Sequence, residues 1–418
     1  MEESCPVQAA DSMEPREAED AQIVEFGNTD RKLLRQFVAF PWRLYADEPN
    51  YVPPLNMDLL GSRLFGHAGL LTASHPFHDH AEVAYFLAYR DGEVVGRVAA
   101  CVDEHHNRDN NTEDVIFGFF ECIDDSAVAQ VLVNRVAQWG SRRGMKRLLG
   151  PMSFNTNHTI GVQLDAFDTQ PYFETAHNFP YYARLMDECG LDKAMDVIAQ
   201  RVPLECDGRF WAGYERAKER TEVARQKYDV TIRPFRMRQF EADMEVFREI
   251  YNEAWSQNWG ATAMTDEEFS IVGKQLKAVA DPDTILLAYM GDEPVAVMAV
   301  LPDYFDCIKR KNSFWDRFDL VRIMRLFRYR NKTPRGRVMV LGIKEKYRRN
   351  GVKDLLITES VGRILAKGQF KTMELSWLLE TNELIIKTGK LYNAERYKTW
   401  RLYHKPLTPA HGAAADAS

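Results

Sequence analysis

The run Val338-Met339-Val340-Leu341-Gly342-Ile343 is alternating and β-branched, and reads as a buried strand. A charged loop follows at 344–350. Gly351 then opens a helix with apolar residues at Val352, Leu355, Leu356 and Val361, spaced for one buried face. Such a unit can hold phosphate. The first N–H groups of a helix have no intrahelical partner and point at whatever sits there. Glycine lets the backbone come close, and Arg348, Arg349 and Lys353 add positive charge. The plainer reading is an ordinary strand-to-helix turn with solvated charges. Two other groups could do chemistry. His177-Asn178, between Pro171 and Pro180, sit in a loop that could face a cleft; they bind an acceptor head group or are satisfied within the loop. His75-Pro76-Phe77-His78-Asp79-His80 has metal-ligating residue types, but no second cluster has supporting spacing, so no metal is expected.

The elements around these residues follow one order twice. In the first half, strands at 81–89 and 93–101 are joined by Asp91-Gly92, a strong two-residue hairpin signal. Strand 115–121, helix 127–143, strand 145–149, helix 181–189 and strand 193–204 follow, with a further helix at 31–47 ahead of them. In the second half, strand 230–234 and helices 237–254 and 266–280 precede a hairpin, 284–290 and 295–301, around Gly291-Asp292. The Val338 strand, the Gly351 helix, strand 372–378, helix 383–391 and strand 398–404 complete it. Order and spacing repeat, without clear residue identity. The expected division is a disordered tail at 1–22, a first unit at 23–206, a connector helix at 207–227, a second unit at 228–407 and a disordered tail at 408–418.

A chain of 418 residues can bury two to three cores. Its hydrophobic share of 45% and charged share of 28% are those of an ordinary globular protein. A net charge of −7 excludes a general nucleic-acid binder. Cysteines 5, 101, 122, 189, 206 and 307 lack CxxC spacing and read as free thiols in a reducing compartment. The acidic N-terminus has no apolar core, so it is not a signal peptide, and no run of about 18 apolar residues predicts a membrane span. The expected location is cytoplasmic.

The loop Arg348-Arg349-Asn350-Gly351-Val352-Lys353 resembles the acyl-CoA pyrophosphate loop of the GNAT (GCN5-related N-acyltransferase) superfamily, with Lys353 where that loop ends in a small residue. Further motifs narrow this. They are Phe117-Gly118-Phe119-Phe120-Glu121, Gly150-Pro151, His177-Asn178 followed by Tyr181-Tyr182, Asn258-Trp259-Gly260, and Glu374-Leu375-Ser376-Trp377 with Glu380 and Asn382. Together they resemble the bacterial ceramide synthase-like family over roughly residues 30–405. The resemblance implies tandem GNAT-like acyl-CoA N-acyltransferase domains, an α/β fold with a mixed α+β sheet. It also implies acylation of a long-chain amine, a sphingoid base, from acyl-CoA or an acyl carrier protein thioester.

Under that resemblance the roles divide as follows. Only the second half has the basic glycine loop. The first has Asp124 and Asp125 at the matching place, which would repel a pyrophosphate. The oxyanion donor maps to a backbone N–H at about Leu341 to Ile343. Asn382 matches a pantetheine contact, and reads equally as a helix cap. Acyl transfer also needs a base for the amine, which titrates near ~10 when free. Glu374 and Glu380 lie on and just beyond the strand after the loop; His177 is the next candidate. The competing reading makes Glu374 a satisfied polar residue and Glu380 a cap. The superfamily's thiolate-protonating tyrosine has no clear match: Thr388 stands there, and Tyr392 one turn on.

One stretch, 309–332, carries nine Lys/Arg and two Asp in an acidic chain. As a helix it would gather Leu320, Ile323, Met324 and Phe327 on one stripe, with Arg317, Arg325 and Arg328 opposite. That suits an anionic membrane surface, hence a peripheral place on the inner membrane, or a docked helix with a solvated basic face. Two rival functions remain: N-acylation of a small soluble amine or amino acid, and a non-catalytic acyl-CoA-binding protein.

Overall fold

The computed structural model describes residues 21–204, 208–309, 311 and 313–408. The tails expected at 1–22 and 408–418 fall almost wholly outside them, as do Cys5 and Cys206. Gln22 is an exception, since it opens a strand.

Among the described residues thirteen strands form one sheet. They are β1 (Gln22–Phe26), β2 (Ala81–Arg90), β3 (Glu93–Asp103), β4 (Asp114–Cys122), β5 (Arg147–Gly150), β6 (Val162–Gln163) and β7 (Asp192–Pro203), then β8 (Val230–Pro234), β9 (Ile285–Met290), β10 (Glu293–Pro302), β11 (Arg335–Ile343), β12 (Thr372–Leu379) and β13 (Glu395–Pro406). The spatial order is β1-β2-β3-β4-β5-β13-β7-β12-β11-β10-β9-β8, with β6 on β13. The β2–β3 turn works because Asp91 and Gly92 both adopt positive φ, 53° and 77°, matching the twist of the paired strands.

The helix Gly208–Tyr228 connects the halves, but the sheet does not divide there. β13, last in sequence, lies between two first-half strands, pairing Tyr403 with Gly150 on β5 and Thr399 with Ile198 on β7. The other edge of β7 pairs with β12, Leu375 opposite Gln200. Such non-local pairing leaves no local sequence signal.

Two parallel pairs shape the site. β4 and β5 pair from Asp114–Arg147 to Ile116–Leu149, then part. β11 and β12 pair from Arg335–Thr372 to Val338–Leu375, then part. Each leaves a wedge. Behind the second wedge the helix Val352–Lys367 buries Val352, Leu355, Leu356 and Ile364 against the sheet. Truncating the fully buried Leu356 to alanine would cost about 2–5 kcal/mol. Among the described residues no helix is long and apolar enough to cross a membrane.

Candidate active site

A cavity of about 1130 Å³ runs between the halves. Ordinary small-molecule sites occupy roughly 300–1,000 Å³. Its first-half wall includes Tyr51, Phe119 and Ile160; its second-half wall includes Met298, Leu341 and Leu375. The lining is mostly aliphatic and aromatic, with a few polar groups converging on it.

The loop expected to hold the donor, 344–351, reaches the cavity through Arg348, and the helix after it through Lys353. Gly351 caps the helix Val352–Lys367 in the left-handed conformation, φ 74°, and no side chain takes the first-turn N–H groups. A residue with a Cβ would be strained here, and the uncapped N-terminus is left for an anion. Arg348 lines the cavity and donates to the Ala254 carbonyl at 2.9 Å. Arg349 is exposed, with no ion pair or hydrogen bond among the described residues. Val352 is buried and Asn350 lies beside Met290. Lys353 turns inward: its Nζ donates to Thr388 Oγ1 at 2.8 Å, and both line the cavity. These groups fit a pyrophosphate and a pantetheine arm, with Arg349 and the helix N-terminus at the phosphates. Asn382 lines the same cavity while capping the helix Glu383–Leu391, so its two readings coexist.

The wedge between β11 and β12 opens onto this cavity through Val340, Leu341, Ile343, Trp377, Leu378 and Leu379. The β10–β11 register slips between Ala299 and Val300, so β11 carries one extra residue, Met339. A bulge of this kind leaves a backbone group outside the ladder. The extra residue lies one step beyond Val338, the last β11 residue paired with β12. That is slightly before the span Leu341 to Ile343 expected for the oxyanion donor.

A first-half loop enters the same space. Arg337 on β11 donates to the Phe173 carbonyl, Asp303 accepts from Phe173 N at 3.0 Å, and Arg335 donates to the Gln170 and Pro171 carbonyls. These bonds hold a tight turn closed by Thr175 N to the Tyr172 carbonyl at 3.1 Å. Its third residue is Glu174, at φ 58°, where a turn favours glycine. A non-glycine residue held there costs on the order of 1 kcal/mol and marks a site worth examining for function. The Glu174 side chain is exposed, and it lines the cavity. Desolvation by the surrounding protein raises its pKa, Arg337 pulls it down and Asp58 pushes it up. It makes no hydrogen bond among the described residues, so its oxygens are free for an incoming group. Tyr251, whose own pKa is pushed up by burial and by Glu174, stacks on Trp255 at 4.7 Å. Trp255 in turn packs against Gly342, where an added Cβ would meet its ring at 2.4 Å. The carboxylate thus sits in the cavity that holds the bulged strand.

No family model matches the chain. Protein YghO of Escherichia coli (strain K12) is 31% identical over 381 residues, covering 90% of this chain and 93% of that protein. The chain belongs to the bacterial ceramide synthase-like family of the GNAT superfamily. The bacterial ceramide synthase of Caulobacter vibrioides is 28% identical over 386 residues, covering 90% of this chain and 95% of that protein. Among solved structures, a tandem GNAT protein from the clavulanic acid biosynthesis pathway has the same fold, with a TM-score of 0.53 and 11% identity over 93% of this chain and 99% of that one.

This member of the ceramide synthase-like family is a GNAT-type N-acyltransferase, and the residues expected to carry its chemistry are not all at the cavity. Glu380 is not on the wall. It bonds to Lys193 Nζ at 2.9 Å and accepts from Asp196 N at 3.2 Å, pinned to β7. Glu374 is fully buried behind the wall, accepting from the Ser376 and Tyr397 hydroxyls with Arg337 4.0 Å away. It holds Ser376 and Arg337, which do face the cavity. The neighbours contributed by β7 and β13 decide what Glu374 meets. His177 lines the cavity, but burial and Lys398 lower its pKa to about 4, too weak a base for an alkylamine. His78 and His80 turn to different partners, the Leu70 carbonyl and Asp103, each at 3.0 Å. Thr388 and Tyr392 both line the cavity; burial pushes the Tyr392 hydroxyl up to about 12, so it holds its proton until a strong base forms.

Proposed function

We propose that this acyltransferase moves a fatty acyl group from acyl-CoA, or an acyl carrier protein thioester, to the amine of a sphingoid base, giving a (dihydro)ceramide. The observation that carries this reading is an apolar cavity that reaches from Arg348 and Lys353 at the proposed phosphate loop to Glu174. Each methylene buried there contributes about 0.8 kcal/mol, which suits two long chains far better than a small polar acceptor. Relatedness to the Caulobacter synthase supports a lipid amine. The free buried cysteines 101, 122, 189 and 307 suit the cytoplasm, and a lipid acceptor suits the inner membrane's cytoplasmic face.

The chain's residues divide the work. Gly351, Arg349 and the helix N-terminus bind the donor's phosphates, and Asn382 faces the pantetheine arm. Glu174 draws in the ammonium and takes a proton from it. The free amine attacks the thioester carbonyl, and the bulge near Met339–Val340 donates an N–H to the oxyanion. The C–S bond breaks as the amide forms. The thiolate leaves beside Lys353, Thr388 and Tyr392 and takes a proton from the Tyr392 hydroxyl, which regains the proton that the nitrogen sheds as it becomes an amide. The supporting test is mass spectrometry of products from purified protein, palmitoyl-CoA and amines of increasing length. KM should fall steeply with acceptor length. CoA release with short polar amines but never with sphinganine or its 3-keto form favours the small-amine reading. Donor binding without thiol release, whatever the amine, favours a binding protein.

A further inference from the structure

Fourteen large hydrophobic side chains are exposed among the described residues, and seven lie between Phe314 and Tyr329. This is the basic stretch, and its helix, Asp319–Tyr329, sits the opposite way round from a docked amphipathic helix. Leu320 and Met324 are each 56% exposed, while Arg322 is fully buried. Named bonds fix that orientation. Arg322 donates to the Pro53 and Pro54 carbonyls and lies over the Trp42 ring at 5.5 Å. Asp319 accepts from Asn56 N at 3.0 Å and Met57 N at 2.7 Å. Arg325, expected on a free basic face, is paired with Asp316.

The cations left over flank the apolar stripe. Lys311, Arg317, Arg328 and Lys332 are exposed, and none has an ion pair among the described residues. Asp316 and Asp319 are already engaged. A positive rim around an outward apolar stripe, with Phe314 and Trp315 beside it, is the pattern of a helix lying in a lipid headgroup layer. An acidic protein partner would be met by the charges but would leave the aromatic residues uncovered. The same face borders the cavity. Phe327 on the helix and Phe65 on the loop after helix Asn56–Leu60 both line it, and each is about half exposed, 49% and 50%.

We infer that this face docks on an anionic bilayer, with Leu320, Met324, Phe314 and Trp315 in the headgroup–acyl boundary, and that a lipid amine enters the cavity between Phe65 and Phe327 without crossing water. Only the entry step rests on the lipid-amine reading; the docking does not.

The test is cosedimentation of the full chain with vesicles of phosphatidylcholine alone or with phosphatidylglycerol. Wild type is expected to bind the mixed vesicles and to be released by salt. Leu320→Asp with Met324→Asp, two residues off the cavity wall, should weaken binding about tenfold or more, and Arg317→Glu with Arg328→Glu should do the same. Both variants should keep turnover of a water-soluble short-chain amine and lose turnover of sphinganine presented in vesicles. Absence of wild-type binding at low salt overturns the docking, as does wild-type binding by both variants. A wild-type dimer in sedimentation velocity that Leu320→Asp with Met324→Asp dissociates also overturns it, because the face then covers a second copy. Vesicle binding without acylation of any lipid amine supports the docking and overturns the substrate reading.

Discussion

The two strand–loop–helix units of this chain share one geometry and have opposite chemistry. In the first, β4 leads into the helix Ser126–Ser141, and the Asp125 carboxylate takes the N–H groups of Ala127 at 2.9 Å and Val128 at 3.2 Å. Asp124 beside it is paired with Arg184. The wedge between β4 and β5 is filled as well: Met152 N donates to the Phe117 carbonyl at 2.8 Å, and a Cβ on Gly118 would fall 1.6 Å from the Met152 carbonyl oxygen. In the second unit Gly351 leaves the helix N-terminus uncapped and the wedge opens onto the cavity. The carboxylate that stabilises one helix is what disqualifies it as an anion site. The fold builds the same wedge twice, and a cap and a loop set the two apart.

The sharpest way to break that comparison is to give the second unit the first unit's cap. Gly351→Asp should abolish donor binding, a loss of more than about 100-fold, by adding bulk and charge beside the pyrophosphate. Gly351→Asn, which tolerates positive φ, separates charge from backbone strain. Unchanged CoA affinity by calorimetry in folded Gly351→Asp would remove the loop from the donor site.

Glu174→Gln follows in size. It keeps shape and loses basicity, so kcat should fall about 100-fold or more with donor affinity retained. The rising limb of the pH–rate profile should lie above the range of an ordinary glutamate, because desolvation raises the Glu174 pKa, and should vanish in the variant. Glu380→Gln should change turnover little. If Glu380→Gln is the damaging change and Glu174→Gln is not, the first half supplies no base.

Asp125→Ala tests the other direction. It should cost about 1 kcal/mol of stability through the lost cap, visible as a lower Tm, and donor stoichiometry should stay at one per chain because the wedge remains filled. Two donor molecules per chain would mean the cap alone had closed the first site.

A pH-dependent effect concerns the seam between the halves. His80 loses hydration on burial, yet Asp103 and Glu268, the latter from the second half, hold its pKa up at about 10. A raised histidine pKa stabilises the fold fully below its unfolded value near 6.5, and that contribution is lost as pH rises towards about 10. Wild-type Tm should therefore decline across this window, and His80→Gln should flatten the decline. An equal slope in the variant would show that other groups set it.

The strand, loop and helix of the proposed donor side were legible because their signals are local. Gly351 after a β-branched run, basic residues around it, and Asp91-Gly92 or Gly291-Asp292 between alternating runs each act within a few residues. Glu174 was not legible: an acid in a Pro-flanked loop looks ordinary until Arg335, Arg337 and Asp303, more than a hundred residues on, clamp its turn into the cavity. Glu374 and Glu380 were placed correctly along the chain and wrongly in space, since the partners on β7 and β13 decide what they meet. For the helix at 319–329, periodicity identified the apolar stripe but not its direction, which depends on the Pro53 and Pro54 carbonyls.

The exchange of β13 also sets a timetable. β5 and β7 are finished by Pro203, but the strand that belongs between them begins at Glu395, roughly 190 residues later. A nascent chain must carry two bare strand edges until Glu395–Pro406 has been made. Unpaired edges recruit other strands, so the finished sheet depends on β13, and a chain cut short before it cannot seal even its first half.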